Sequence, residues 1–322
     1  MSSPSVRDRN ASENKVHKGE PSCGCCCCDA TSSGTKTPRL VFRSPGIGTW
    51  QPRPLDHIRW NLTRKGRILR KADAIVVSVP KCGRTWLKVF LKAYFSAVEN
   101  RDFSLLFHGS DRTMDVRFAH DLWEHLVRAS LRQRLLGKHL VPASARCTSK
   151  ILLLVRDPRD VIVSLYFHLT KRSRIFKGSL SEMIRHRRFG IESVIWMLNT
   201  WMKEWHDYDN IHIFRYEDFQ TDPRSTFQSV LAFLGFPTID VEKFAGALKT
   251  ASFDSMREME ATGKADHKCL RPADAQDPDS FKVRRGIVGG YKDYLDEGDL
   301  SYIEEAMKLL DPRLGYTVES RS

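Results

Sequence analysis

One segment constrains this chain more than any other: a buried-strand pattern that runs through a short loop into a helix. Residues 74–79 read Ala-Ile-Val-Val-Ser-Val and end at Pro80, as in a strand buried on both faces of a parallel sheet. After the loop of residues 81–84, large apolar side chains recur every three or four positions over residues 85–98, which predicts a helix. The loop therefore leads into a helix N-terminus, where backbone N–H groups and the helix dipole attract anions.

Further units of the same kind follow along the chain. Residues 150–155 form a second buried-strand pattern that Arg156 ends, and Asp157 can cap a helix from Pro158 to about Lys171. The other predicted elements are a shorter strand over residues 114–120, a helix over 191–206, a strand over 211–215 and a helix over 223–233. This alternation predicts an α/β fold, a single domain with a central parallel β-sheet flanked by helices, and ligands at the carboxyl ends of its strands.

Length and charge divide the chain into a tail and one large domain. Residues 1–45 are rich in Ser, Gly, Thr, Lys and Cys, so we expect a disordered N-terminal tail, with residues 46–322 as the domain. Residues 1–72 hold 14 Lys and Arg against 5 Asp and Glu, which is most of the formal net charge of +13. A nucleic-acid footprint would spread over a folded face, so we expect no nucleic-acid partner, whereas a local basic funnel for a small polyanion is compatible with these totals.

The spacing of the cysteines and the length of the apolar stretches indicate the cellular compartment of the protein. Of the eight cysteines, five lie close together in the tail, and they are Cys23, Cys25, Cys26, Cys27 and Cys28. Neighbours this close pair poorly, which favours a reducing compartment, and the cluster lacks zinc-type spacing, so an unmodified tail is favoured over metal or lipid attachment. No window has the roughly 18 to 20 apolar residues that cross a bilayer, and no secretory signal is evident, so we expect a cytoplasmic protein without a transmembrane segment.

Three short segments carry residues suited to phosphate groups. In residues 80–86, Pro-Lys-Cys-Gly-Arg-Thr-Trp, Gly83 permits close approach of a ligand and Lys81 adds a point charge. The segment lacks the four-residue gap of a Walker A motif, and taken alone it is equally compatible with a plain strand-to-helix turn.

The second and third segments are Arg156 with Ser164, and the run that begins at Arg284. Arg156 follows a strand, where a bidentate phosphate contact is natural, but an ion pair with a nearby aspartate and a solvent-facing Ser164 are ordinary alternatives. Residues 284–292 place two arginines before a glycine-rich stretch, which suits either a loop that closes over phosphate or a basic surface loop.

Together, in this order, these segments resemble the PAPS-dependent sulfotransferase superfamily of the cytosolic type, where PAPS is 3'-phosphoadenosine-5'-phosphosulfate. Residues 80–86 are similar to its 5'-phosphosulfate loop, usually Pro-Lys-Ser-Gly-Thr-Thr-Trp, and residues 155–164 are similar to its 3'-phosphate segment. Residues 214–219, 253–256 and 284–292 resemble its Tyr-Glu-Asp, adenine-side and closing segments. The resemblance covers most of residues 73–310 and implies a P-loop-like sulfotransferase fold.

The resemblance implies that PAPS donates a sulfuryl group in line to a hydroxyl or amine, that the nucleotide product is PAP, and that no metal takes part. Lys81 would contact the phosphosulfate and help neutralise the leaving oxygen, and Trp86 would stack on adenine. The residues that would bind the nucleotide are Lys81, Cys82, Gly83, Arg84, Thr85, Trp86, Arg156, Ser164, Tyr216, Phe253, Met256, Arg284, Arg285 and Gly286. Cys82 and Arg84 depart from the usual Ser and Thr, which leaves a backbone role for both but puts a hydroxyl role at position 82 in doubt.

The family often has its general base in a histidine that ends a strand between the first two of these segments, in Lys-Thr-His. His120, which ends the predicted strand over residues 114–120, is our choice, with Lys81 as the second catalytic residue. The alternatives are His139, a carboxylate, or neither histidine. His168, on the same predicted helix as Ser164, is expected to be structural. The acceptor, whether a small molecule or a glycan or lipid, and the oligomeric state stay open. Two other functions also stay open: a nucleotide-dependent phosphotransferase, and a non-catalytic protein that binds PAP or nucleic acid.

Overall fold

The four strands of the sheet run parallel, in the spatial order β2-β1-β3-β4. The computed structural model describes residues 68–99, 114–123, 148–205, 208–263 and 270–316, which lie within one compact unit. The strands are β1 (Ala74–Ser78), β2 (Val116–Ala119), β3 (Lys150–Val155) and β4 (Ile211–Arg215). The predicted parallel sheet and all four predicted strands are therefore confirmed, with β2 shorter at both ends than the pattern suggested.

Helices follow β1, β3 and β4 in the part of the chain that the structure describes. They are α1 (Arg84–Glu99), α2 (Pro158–Phe167), α3 (Leu180–Ile184), α4 (Ile191–Trp205), α5 (Tyr216–Thr221), α6 (Pro223–Leu234), α7 (Val241–Thr250), α8 (Phe253–Thr262) and α9 (Glu297–Met307). Short 3-10 turns span Pro278–Ser280, Gly290–Asp293 and Pro312–Leu314. The structure thus has the α/β architecture that the alternating pattern predicts.

The predicted helix boundaries hold where capping residues set them. The Asp157 carboxylate accepts the N–H of Arg159 at 2.9 Å, and the Asp222 carboxylate accepts that of Ser225 at 3.0 Å. Gly235 ends α6 with φ of +104°, a conformation that suits glycine.

The helix predicted from Pro158 to about Lys171 is α-helical only to Phe167. It continues as a π-helix over His168–Arg172, and the Ser173 N–H reaches back five residues to the carbonyl of His168 at 2.9 Å. The apolar spacing of the sequence does not distinguish these two helix types, and π-turns occur frequently at functional sites.

An aromatic cluster joins α1 to α6 and α7. The rings of Phe90 and Phe227 stack with centroids 3.9 Å apart, and Phe244 meets Phe90 edge-on at 5.5 Å. All three rings are fully buried, and such pairs contribute roughly 0.5–1.5 kcal/mol beyond their buried area. This packing fixes α1, whose N-terminus borders the candidate site.

Several predictions concern residues outside the described ranges. They are the tail of residues 1–45 with its cysteine cluster, the start of the predicted domain at residue 46, and His139. Within the ranges that are described, no helix combines the length and the apolar character needed to cross a bilayer.

Candidate active site

Each of the four strands leads into a residue that the sequence singled out. His120 directly follows β2, Arg156 follows β3, Tyr216 follows β4, and Lys81 comes three residues after β1. All four line one cavity of about 750 Å³. The carboxyl edge of the sheet therefore brings them together, as the topology of parallel strands predicts.

The cavity also collects nearly all the other predicted site residues. The further ones in its lining are Gly83, Arg84, Thr85, Trp86, Ser164, Phe253, Met256, Arg284, Arg285 and Gly286. Cys82 is absent from the lining, because its side chain is buried in the hydrophobic core, and burial raises the pKa of its thiol to about 12. A side-chain role for Cys82 is thereby removed, while its backbone stays in the loop.

The loop before α1 is held in an unusual backbone conformation. Lys81 and Gly83 have φ of +78° and +85°, a region that costs a non-glycine residue roughly 1–2 kcal/mol. A Cβ on Gly83 would lie 2.6 Å from the ring of Tyr216, so the loop passes too close to that ring for any side chain. Helix α1 begins at Arg84, and the backbone N–H groups and dipole at a helix N-terminus favour the binding of an anion.

Lys81 lies in a strongly positive environment. Burial, followed by the nearby charges of Lys282, Arg156 and Arg172, lowers its pKa from the ordinary value to about 7, against the opposing carboxylate of Glu260. Because burial and the neighbouring cations both disfavour the charged form of Lys81, an anion that binds beside it would favour protonation of its amine.

Arg156 connects three parts of the site. Its guanidinium donates to the carbonyl of Lys81 at 3.3 Å and to the carbonyl of Ile287 at 3.0 Å, and it lies over the ring of Tyr216, 4.2 Å from the centroid. The ordinary alternative was an ion pair at the surface. Arg156 does pair with Asp160 at 3.6 Å, but both side chains are buried, so the pair forms part of the cavity wall.

One nitrogen of Arg156, Nε, has no hydrogen-bond partner among the described residues, although it is buried. A buried, unbonded guanidinium nitrogen is costly unless a ligand satisfies it, and planar recognition of phosphate oxygens is the interaction that arginine makes best. The atom therefore fits the phosphate position that the sequence predicts here.

The two arginines of the closing segment are held by one tyrosine. Arg284 and Arg285 donate to the hydroxyl of Tyr294 at 2.6 and 3.2 Å, and Arg284 lies over the ring of Phe167 at 3.9 Å. The segment reaches the cavity through Gly286, where an added Cβ would lie 2.6 Å from Phe253.

Aromatic side chains also line the cavity. Trp86 meets the ring of Tyr216 at 5.9 Å and that of Phe227 at 5.8 Å, and the Tyr216 hydroxyl accepts a hydrogen bond from Gln220 at 2.8 Å. Phe253, the first residue of α8, lines the same cavity. The site thus combines flat apolar surfaces with a cluster of cations, which suits a phosphorylated nucleotide.

Both ring nitrogens of His120 have partners. Nδ1 lies 3.0 Å from the carbonyl oxygen of Ser78, and Nε2 contacts Nη2 of Arg84. A carbonyl only accepts and a guanidinium only donates, so Nδ1 carries the proton and Nε2 presents its lone pair. Burial, followed by the charge of Arg84, lowers the pKa of His120 well below the usual range, which keeps the ring neutral.

Sequence reasoning missed several contributors to this site. Asp160, one of the aspartates near Arg156, accepts the backbone N–H groups of Gly289 and Tyr291 at 2.8 and 3.0 Å. Glu260, on α8, accepts the N–H groups of Lys282 and Val283 at 2.7 and 2.9 Å. His168, expected to be structural, lines the cavity. These residues act through contacts more than 20 positions away, which no local motif signals.

The described residues include no group of three or more His, Cys, Asp or Glu side chains placed to hold a metal ion.

The family of this chain follows from comparison with known proteins. The Sulfotransferase domain family matches residues 71–316, and so the chain belongs to the PAPS-dependent sulfotransferase superfamily and is an enzyme of that class. It is similar to flavonol 3-sulfotransferase of Flaveria bidentis, with 27% identity over 270 residues that cover 76% of this chain and 82% of the relative. It is similar as well to cytosolic sulfotransferase 7 of Arabidopsis thaliana, with 27% identity over 252 residues, 69% of this chain and 74% of the relative.

Solved structures agree on the fold. Mouse sulfotransferase SULT7A1 complexed with PAP aligns with a TM-score of 0.54 and 18% identity, over 75% of this chain and 88% of that one. Retinol dehydratase in complex with androsterone and inactive cofactor PAP aligns with a TM-score of 0.53 and 16% identity, over 83% and 87%. The predicted sulfotransferase fold is thereby confirmed.

Proposed function

We propose that this enzyme moves the sulfuryl group of PAPS to a hydroxyl or amine of a small-molecule acceptor, with His120 as the general base. The observation that carries the proposal is the convergence of Lys81, Arg156 and His120 on one cavity. PAPS, when bound, supplies a sulfuryl group whose bond to a phosphate oxygen breaks as the acceptor atom bonds to sulfur.

The chain's residues divide into a nucleotide part and a reaction part. Arg156 with its unbonded Nε, Ser164, Arg284 and Arg285 would hold the 3'-phosphate. Trp86, Tyr216, Phe253 and Met256 would hold the adenine, and the N–H groups of the loop would hold the 5'-phosphosulfate.

At the reaction centre, Lys81 and His120 have complementary tasks. Beside a bound anion the amine of Lys81 is protonated, and its positive charge stabilises the negative charge that develops on the leaving oxygen. His120 is neutral and presents the Nε2 lone pair, so it accepts the acceptor's proton at that atom. The two residues extend from adjacent strands, β1 and β2, which brings both to the same end of the cavity.

The decisive experiment is transfer from radiolabelled PAPS to a panel of phenols, alcohols, amines, glycans and lipids. Lys81→Ala should lower turnover by roughly 10² or more, and His120→Asn should lower it by about 10²–10⁴. Lys243→Ala, which removes an exposed lysine paired with Asp240, serves as the control and should leave turnover unchanged. Full activity in Lys81→Ala or His120→Asn would refute the role assigned to that residue.

The alternative functions give different results in the same assay. A nucleotide-dependent phosphotransferase would use ATP and ignore PAPS. A non-catalytic protein would bind PAP tightly without transfer to any acceptor, or would bind RNA or DNA with steep salt dependence.

We also infer a cytoplasmic location, which the similarity to a plant cytosolic sulfotransferase supports. Fluorescence of the full chain with a tag at either end would test it, and accumulation in a membrane compartment would contradict it.

A further inference from the structure

We propose that Arg84 is a positioning residue of this enzyme: it holds His120 as the neutral Nδ1–H tautomer and fixes the direction of Nε2 inside the cavity. This inference rests on the proposed function, because it concerns the base of that reaction. The loop that residues 80–86 resemble usually has threonine at this position, so the arrangement is a feature of this chain's own sequence.

The geometry places the imidazole ring between two fixed groups. Ser78 is the last residue of β1, and its carbonyl lies 3.0 Å from Nδ1 of His120. Arg84 is the first residue of α1, and its Nη2 contacts Nε2 on the other side of the ring. Strands β1 and β2 are paired up to Val77 and Ala119, so neither backbone can shift without breaking the sheet. Rotation of the ring would cost both bonds.

The residue after His120 is fixed as well. Asp121 is fully buried, has φ of +39°, and accepts the indole N–H of Trp201 at 2.9 Å. This bond fixes the backbone at the end of β2 against α4. The direction of the His120 side chain is then set by its contacts with Ser78 and Arg84.

The charged groups that face His120 come from helix α1 and from the loop before the closing arginines. Arg84 and Lys88 belong to α1, and Lys282 precedes the closing arginines. All three are cations and disfavour a proton on Nε2, whereas the Ser78 carbonyl favours it. Of the three, Arg84 is the one in contact with the ring, so its loss should have the largest effect on protonation.

The same contact occupies the lone pair that receives the acceptor's proton. The guanidinium must therefore give way when an acceptor hydroxyl takes its place at Nε2. Removal of Arg84 then has two opposite effects on the rate. It frees the lone pair of Nε2, which favours proton transfer. It also raises the pKa of His120, so that less of the ring is in the neutral form at a given pH. The position of the pH profile separates these effects, whereas the absolute rate does not.

The test is an NMR titration of His120 in the full chain, labelled with ¹⁵N in its histidines and free of nucleotide. His120→Asn identifies the signal among the 11 histidines. We expect the Nδ1–H tautomer in the wild type, a pKa of His120 higher by about 1 or more in Arg84→Gln, and a value near the wild type in Arg84→Lys, which keeps the charge. Lys308→Gln removes a charge from the exposed end of α9 and should leave the titration unchanged.

Transfer kinetics provide the second measurement. The acid limb of kcat/KM should move to higher pH in Arg84→Gln and return in Arg84→Lys. An unchanged titration of His120 in Arg84→Gln, or the Nε2–H tautomer in the wild type, would overturn the proposal. If His120→Asn instead kept full transfer while Arg84→Gln still shifted the titration, the base assignment would fail and the coupling between Arg84 and His120 would stand.

Discussion

The carboxylate of Asp160 accepts the backbone N–H of Gly289 at 2.8 Å, across 129 positions of the chain. Its other oxygen accepts the N–H of Tyr291 at 3.0 Å, and Arg156 lies 3.6 Å away. One buried side chain on α2 thus holds the closing segment beside the arginine that we assign to phosphate binding.

Replacing Asp160 with Asn should weaken PAP binding by about tenfold and lower the free energy of unfolding by about 1–3 kcal/mol, because one of the two backbone N–H groups then loses its acceptor. Calorimetric titration with PAP and urea unfolding measure the two effects. Asp157→Asn is the control, since Asp157 pairs with Arg159 at 2.7 Å and caps α2 without contacting the closing segment. It should lower stability with little effect on PAP, and equal PAP affinities in the two variants would contradict the link.

PAP affinity should fall as pH rises above neutrality. The pKa of Lys81 is lowered to about 7, so in the free enzyme this side chain loses its proton as pH rises through that value. Binding an anion requires the charged form, and the dissociation constant should increase by up to tenfold per pH unit between about pH 7.5 and 9. Lys81→Arg keeps its charge throughout this range and should abolish the dependence. A flat profile in the wild type would show that Lys81 is not in contact with the nucleotide.

Cys82 should be inert in the folded protein. The thiolate is the reactive form of cysteine, and burial raises the pKa of this thiol to about 12. Alkylation at about pH 8, followed by peptide mass mapping, should modify Cys82 at least ~10²-fold more slowly than in urea-unfolded chain, because reaction requires opening of the core. Rapid modification without urea would mean that the thiol faces the cavity after all.

Gly286 and Gly289 form a matched pair for testing the contact with Phe253. Both have left-handed φ angles, +67° and +73°, but an added Cβ meets Phe253 at 2.6 Å from Gly286 and nothing within 4 Å from Gly289. Each alanine variant carries a backbone cost of roughly 1–2 kcal/mol, and only Gly286→Ala also displaces the Phe253 ring. We expect PAP to bind at least about tenfold more weakly to Gly286→Ala than to Gly289→Ala. Equal affinities would remove Phe253 from the nucleotide site.

Much of the fold could be predicted from local patterns because the two central strands, β1 and β3, are buried on both faces. Residues 150–155 and 211–215 read as continuous strands and match β3 and β4 residue for residue. Caps at Asp157 and Asp222 fixed two helix starts, since a side-chain acceptor for the first N–H groups is a local property. The π-helix at His168–Arg172 had no such marker.

The candidate site was predictable to the extent that it follows strand ends. Lys81, His120, Arg156 and Tyr216 each come just after a strand, so sequence position alone placed them at one edge. Asp160, Glu260 and Lys282 contribute through tertiary contacts that depend on how the loops return to the sheet. The contact between Arg84 and His120 joins residues 36 positions apart, and only the paired arrangement of β1 and β2 reveals it.

The strand order sets the distance between the two ends of the site. His120 stands at the end of one outer strand and Tyr216 at the end of the other, with β1 and β3 between them. Three strand spacings of about 4.8 Å set these ends roughly 14 Å apart. Under the roles proposed above, the adenosine bisphosphate itself reaches across most of that span, so a synthetic inhibitor that joins an acceptor mimic to its 5'-phosphate would need a bridge only about as long as the transferred sulfuryl group.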